Sequence, residues 1–349
     1  MVPVSVLTQI NMKKLLTFLL LSLIFYPLSA QSLDGLHGKC GAELKEAVGQ
    51  MSRVKNHIGS VVGSGSVWEA FRATDNADGY VLDRFSAQSS EFPTDAVSAP
   101  ADKAVCAIAP LEWWADEAAY GDTLAMDLHN LYPCDVTFVQ SRKDYPMGEV
   151  VNAQFDNGVA LSGMGYISGI DVNLWEPADE YKGDFARAMM YVATVYPSNR
   201  FAGLGVNFME DNRYPTLNAY ARRLLLAWHY ADPVSEMERK RNDAVEAIQG
   251  NRNLFVDYPV LADYIWGKSS SQPFEEKVDK EPLRSTYRLG DSRIDLCHKL
   301  VPADAKWTVN GIAVQADYIV PAQLGVGVHE LRFESEGKTG KLKIKIVEL

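Results

Sequence analysis

The chain has 349 residues and a formal charge of −11 at pH 7, from 34 Lys and Arg against 45 Asp and Glu. That excess of carboxylates argues against a protein that coats nucleic acid indiscriminately, because such binding needs cations to neutralise phosphates, although a small basic cleft on an acidic surface remains compatible with it. With 47% hydrophobic and 23% charged residues and no repeat period or low-complexity tract, the composition is globular, and the length predicts one large domain plus a smaller one.

Lys13 and Lys14 precede an almost wholly apolar run over 15–26, and Leu28-Ser29-Ala30 supplies the small residues that a signal peptidase accepts. This pattern predicts a true start at Met12, a signal peptide over 1–30 and a mature chain from Gln31 in a secreted or periplasmic location. The run is shorter than the roughly 20 apolar residues a membrane span needs. No stable membrane insertion is therefore expected after cleavage. Export permits disulfides, but Cys40, Cys106, Cys134 and Cys297 allow three complete pairings among which spacing does not choose.

In chain order, 44–51 reads as a helix and 67–72 as a second short helical or turn-like element. Residues 87–103 form a connector of Ser, Pro, Asp and Ala, and 104–109 is an apolar strand ended by Pro110. Trp113, Trp114, Tyr120, Tyr132, Tyr145 and Trp175 then lie among Pro133, Pro146 and Pro177, which predicts an aromatic core bounded by long loops. Helices are expected over 184–195, with Phe185, Ala188, Met189 and Val192 on one face, over 218–230 as a central buried helix, and over 235–248. Ser235 and Glu238 have capping-box spacing at the start of the last. Residues 268–289 read as an exposed linker. Beyond it, strands at 307–309, 318–320, 329–333 and 341–346, with the turn dipeptide Asn310-Gly311, predict a small β-sandwich-like, immunoglobulin-like module over 290–349. The fold class is thus α+β.

The richest chemical constellation is Asp127-Leu128-His129-Asn130-Leu131-Tyr132-Pro133. Asp127 and His129 alternate with apolar residues as on a strand facing a cleft, where they would hold a metal or pair as orienting acid and base, or simply satisfy each other internally. Arg142, Lys143, Lys182 and Arg187 are phosphate-binding candidates, since a guanidinium grips phosphate bidentately and an ammonium acts as a point charge. Glu176 and Asp184 lie among them and equally allow internal ion pairs.

Together with Trp68-Glu69-Ala70-Phe71, Thr74-Asp75, Tyr145-Pro146-Met147-Gly148-Glu149-Val150, Trp175-Glu176-Pro177, Lys182-Gly183-Asp184, Asp232-Pro233-Val234-Ser235, Arg241-Asn242 and Gln249-Gly250-Asn251-Arg252-Asn253, that block resembles the endonuclease I family over about 36–267. These are secreted, metal-dependent, non-specific nucleases of the His-Me finger group. The resemblance implies a 31–267 domain with a ββα-metal type core, a Mg²⁺ or Ca²⁺ cofactor and a nucleic acid substrate, and is silent on 284–349.

The departures from the family pattern concern its chemistry. The family's Glu-His pair, metal ligand and general base, falls on Cys106 and Ala107, and its Asn ligand falls on Val139, with Gln140 beside it. Alanine accepts no proton, and a thiolate is a poor ligand for a hard cation. The expectation is a catalytically degenerate nuclease acting as a binding protein. The alternative is an active phosphodiesterase with His129 as a relocated base and a Mg²⁺ or Ca²⁺ ion on Asp127 or Glu176. An aromatic groove at Trp113 and Trp114 is a candidate binding surface. Lys341, Lys343, Lys345 and His329 would let the C-terminal module meet an anionic surface or another extracellular ligand.

Overall fold

A computed structural model describes residues 33, 35–56, 67–95, 97–116, 120–275, 283–291, 293–296, 301, 305–314, 318–335 and 338–348. The predicted signal segment, Cys297 and residues 276–282 lie outside the described residues. The chain divides into a unit spanning Asp34–Glu276 and one containing Lys277–Leu349. No helix among the described residues is long and apolar enough to cross a membrane.

The larger unit is mixed α+β. It runs α1 (Gly41–Met51), α2 (Val67–Thr74), β1 (Asn76–Ala77), β2 (Tyr80–Val81), β3 (Lys103–Ala107), α3 (Gly121–Ala125), β4 (Leu131–Asp135) and α4 (Val136–Arg142). Strands β5 (Val150–Asp156), β6 (Leu161–Ile167) and β7 (Ile170–Glu176) follow, then α5 (Lys182–Val195), α6 (Ala219–Ala231), α7 (Glu236–Gln249), α8 (Leu254–Asp257) and α9 (Leu261–Trp266). Its sheets are antiparallel: β1 with β2, β3 with β4, and the meander β5-β6-β7.

Helix α5, rather than α6, is the central one. Every residue from Gly183 to Val195 is buried, so the expected single apolar face is in fact a whole buried surface. Helix α6 buries only the stripe Ala221, Leu224, Leu225, Trp228 and His229, leaving Ala227 exposed, because its apolar run is flanked by Arg222 and Arg223 on the outward side. Against α5, the rings of Phe85, Phe138, Trp175 and Phe185 pack with centroids 4.8 to 5.9 Å apart. Such ring pairs contribute about 1 kcal/mol each beyond their buried area. Trp113 and Trp114 belong to this interior too: both are fully buried and their Nε1 atoms donate to the Asp144 and Tyr196 carbonyls, so they do not line an open groove.

Residues 268–275 are docked rather than free. Phe274 is fully buried and exchanges backbone hydrogen bonds with Gly38 and Lys39. The apolar ring outweighs the polar composition that marks the segment as linker.

The smaller unit has β8 (Thr286–Arg288), β9 (Ile294–Asp295), β10 (Lys306–Val309), β11 (Ile312–Val314), β12 (Tyr318–Ile319), α10 (Pro321–Leu324), β13 (Gly327–Ser335) and β14 (Lys338–Val347). A five-stranded sheet in the order β11-β10-β13-β14-β8 is antiparallel except for β14 with β8, and β9 pairs with β12. Thr286 to Arg288, within the predicted linker, is therefore a strand of this unit. Ile294 and Ile319 share one apolar cluster with Trp307, Leu331 and Ile344 of the large sheet. The Asn310-Gly311 turn has φ of 49° and 85°, the left-handed pair a two-residue hairpin requires. Lys341, Lys343 and Lys345 are exposed, but His329 is not with them: it is buried, its Nε2 donates to the Gly325 carbonyl and its Nδ1 accepts from the Asn310 amide.

Candidate functional site

Strand β3, its antiparallel partner β4 and helix α4 bring together the positions where the resemblance places metal and base. The register sets Cys106 opposite Tyr132 and Ala107 opposite Leu131. The Asn130 side chain accepts from the Ala109 backbone N–H at 2.9 Å and donates to the Ala109 carbonyl at 3.1 Å, which holds the chain just past β3. Asp135 caps α4, accepting from the backbone N–H of Thr137 at 2.8 Å and of Phe138 at 3.3 Å. That cap aims the last turn of α4, and with it Arg142, back across β3.

Arg142 is buried and its guanidinium fills the site. Nη1 donates to the Cys106 Sγ at 2.7 Å and to the Ala107 carbonyl at 2.5 Å, Nη2 donates to the Ile108 carbonyl at 2.8 Å, and the plane lies 4.8 Å from the Trp175 ring. Burial pushes the Cys106 thiol up, but a hydrogen bond with the Cys134 thiol and the charge and donor of Arg142 bring it down to about 7. Burial, then the Cys106 sulfur beside it, pushes Cys134 well above its ordinary value. Near neutral pH the Cys106 sulfur beside the guanidinium is thus poised between thiol and thiolate.

A magnesium-like ion does not fit this set. Cys106 offers soft sulfur, Ala107 offers no side-chain donor, half-buried Val139 offers a hydrocarbon, and a permanent positive charge already occupies the cradle. Gln140 is exposed on α4. Among the described residues there is no group of three or more His, Cys, Asp or Glu arranged to hold a metal ion.

Asp127 and His129 sit elsewhere, in a turn rather than on a strand. The Asp127 carbonyl accepts from the N–H of Asn130 and Leu131, and its carboxylate accepts from the His129 backbone N–H at 2.9 Å, closing an Asx turn. The same fully buried carboxylate accepts from Tyr191 Oη and Tyr196 Oη, each at 2.7 Å, and from Gln249 Nε2 at 2.9 Å. Four donors saturate it. The His129 ring does not meet Asp127; its Nε2 faces the Asn251 carbonyl at 3.4 Å and it packs against Tyr191. Burial, the largest cause, lowers its pKa to about 4, so the imidazole is neutral in the interior.

The remaining candidates are dispersed. Glu176 accepts from the Val150 N–H at 2.8 Å and binds Lys182 at 2.8 Å, while Lys182 also binds Asp179 at 2.7 Å. Arg187 is fully buried, with Nε 2.6 Å from Glu238, Nη2 3.1 Å from Asp184 and Nη1 2.9 Å from the Asp232 carbonyl. Arg142 and Arg187 are therefore interior ions, and of the four phosphate candidates Lys143 is the exposed one, lying over the Tyr145 ring at 5.8 Å. The Ser235 hydroxyl accepts from the Glu238 N–H at 3.1 Å, completing one half of the predicted capping box. The Glu238 carboxylate instead takes Arg187.

Two clusters escape a reading of spacing alone. Asp75 is fully buried between Arg84 at 2.6 Å and Arg241 at 2.9 Å, and Arg241 also donates to the Leu128 and Leu131 carbonyls, tying α7 to the 127–131 turn. Arg142 reaches back thirty-six residues to Cys106. Neither partnership has a local sequence signature.

The family model described as Endonuclease I matches residues 53–260. An extracellular ribonuclease of Bacillus subtilis (strain 168) is 36% identical over 142 residues, 40% of this chain and 46% of that protein. An extracellular ribonuclease of Bacillus amyloliquefaciens is 36% identical over 143 residues, with the same coverage. The chain spans about half the length of the curated relatives it matches.

Proposed function

The chain belongs to the endonuclease I family, and from that premise we propose that it is an exported, catalytically degenerate member that engages nucleic acid without hydrolysing it. The observation that carries this reading is the 2.7 Å contact between Arg142 and Cys106. β3, β4 and α4 follow one another as the strands and helix of a His-Me finger would. Where that motif would hold a divalent cation, this chain has a guanidinium. General base catalysis contributes typically about 10²- to 10⁴-fold, and a metal ion adds several kcal/mol of charge stabilisation. Ala107 removes the first and the Cys106, Val139 and Arg142 set removes the second. Export is supported by the Lys13-to-Ala30 pattern and by relatives named as extracellular. A nucleic acid partner is supported by the family and by the ribonuclease name of those relatives, with Lys143 the candidate phosphate contact.

The reading is tested by incubating the purified mature chain with plasmid DNA and structured RNA in Mg²⁺, Ca²⁺ or Mn²⁺, with an EDTA control, and by following binding in EDTA by gel shift. Retarded nucleic acid without EDTA-sensitive cleavage is expected. Robust metal-dependent cleavage that His129→Ala abolishes would replace this reading with an active enzyme using a relocated base.

A further inference from the structure

Away from β3, a cavity of about 450 Å³ opens between α1, the end of α5 and residues 213–214. Its floor holds Lys45, whose residue is 2% exposed and whose Nζ donates to the Arg213 carbonyl at 2.9 Å. Arg53 and Arg213 stand at the rim, both exposed, with Glu46 as the facing carboxylate. Among the described residues none of Lys45, Arg53 or Arg213 forms an ion pair. A buried amine without a counter-ion is costly to charge, and that cost falls if an anion enters the cavity.

We propose that this cavity is a binding site for a phosphomonoester of mononucleotide size. Its volume lies in the range of small-ligand pockets. Two guanidiniums and the Lys45 amine outnumber Glu46, and a guanidinium can hold two phosphate oxygens. The Tyr120 and Tyr214 rings line the same cavity and offer flat surfaces to a base. The inference does not rest on whether β3 carries chemistry. Burial, then the charge of Arg213, lowers Lys45 to about 7 against a smaller opposing pull from Glu46. An arriving anion therefore draws a proton onto Lys45 at pH values above 7, where the free amine is largely neutral.

The test uses the mature chain with 5′-AMP, inorganic phosphate and adenosine as probes, read by calorimetry and by thermal shift. AMP should bind at least roughly tenfold more tightly than phosphate, and adenosine should not bind detectably. Above pH 7, the apparent enthalpy should vary with buffer ionisation in the sense of proton uptake. Lys45→Met should fold with a raised Tm when no ligand is present, because no charge is then buried, yet lose affinity by roughly thirtyfold or more and lose the proton uptake. Arg53→Gln, at an exposed position on the rim, should weaken binding without lowering Tm. No AMP binding to the wild-type chain, equal affinity for AMP and phosphate, or unchanged binding by a folded Lys45→Met chain would each overturn the proposal.

Discussion

The Nη1 atom of Arg142 lies 2.7 Å from the Sγ of Cys106, a guanidinium–sulfur contact that ties the last turn of α4 to β3. Cys106 should consequently ionise near pH 7, with burial opposing and Cys134 and Arg142 favouring the thiolate. Ultraviolet thiolate absorbance against pH should show a step near 7 that is missing from Cys106→Ser and moves upward in Arg142→Met. A wild-type curve with no step near 7, differing from that of Cys106→Ser only at the ordinary thiol position, would show that the pair does not form.

Asp127 is a structural hub. Its carboxylate accepts from Tyr191, Tyr196, Gln249 and the His129 backbone. Asp127→Asn puts two amide hydrogens among groups that themselves donate, leaving buried donors unsatisfied, and should cost on the order of 3 kcal/mol of unfolding free energy by urea titration. A loss below about 1 kcal/mol, as at an ordinary surface position, would contradict this role.

His129 makes stability depend on acid. Its folded pKa of about 4 lies below the ordinary 6.5, so between those values the unfolded chain binds the proton more readily and stability falls as pH falls from 6.5 to 4. The loss is on the order of 3 kcal/mol. His229, lowered to about 4 by burial, adds a slope of the same sign. His129→Asn should flatten the dependence in this window and leave the His229 part, as read from urea midpoints at several pH values. An unchanged slope would mean that His129 titrates as an exposed imidazole.

Glu238 acts in the opposite direction. Burial, then the Asp184 charge, raises it to about 8 despite Arg187. The folded state holds this proton more tightly than the unfolded one, so stability from this group is present below about pH 4.5 and is lost as pH rises through 8. Glu238→Gln, which keeps the shape and an acceptor for Arg187, should lessen the decline between about pH 4.5 and 8. A steeper decline in the variant would show that the ionised Glu238–Arg187 pair is the stabilising form.

The helices were legible because they carry their own signals: the Ser235 cap, the Gly250 stop at φ 73° and the apolar spacing of α5 and α6. The alternation of Lys341, Lys343 and Lys345 with Leu342, Ile344 and Ile346 likewise appears as an exposed face and a covered face of β14. The β5-β6-β7 meander gave no such signal. β5 is exposed at most positions and has register irregularities at 150–152 and 153–155, so period-two patterning is lost. In β6, Gly163 has φ 159°, and an added Cβ would lie 2.3 Å from the Asn152 carbonyl oxygen, so close backbone approach rather than side-chain pattern holds those strands together.

At the candidate site, the resemblance points to Cys106, Ala107 and Val139 because a motif with fixed spacing can be counted. It could not show which side chains would contact them. The burial of Arg142 and Arg187 depends on acceptors thirty-six and fifty-one residues away, which charge spacing does not encode. Asp127 and His129 misled for a related reason: alternation over three residues suits a strand, but an aspartate that accepts from the N–H two residues ahead makes a turn of the same string.

The central claim, that a guanidinium stands where the family holds a divalent cation, is tested most directly by Mn²⁺ titration of the purified chain followed by electron paramagnetic resonance. The account predicts that the wild-type chain leaves the signal of free Mn²⁺ undiminished. A stoichiometric bound Mn²⁺ in the wild-type chain, displaced by Mg²⁺ and lost on Cys106→Ala, would contradict it.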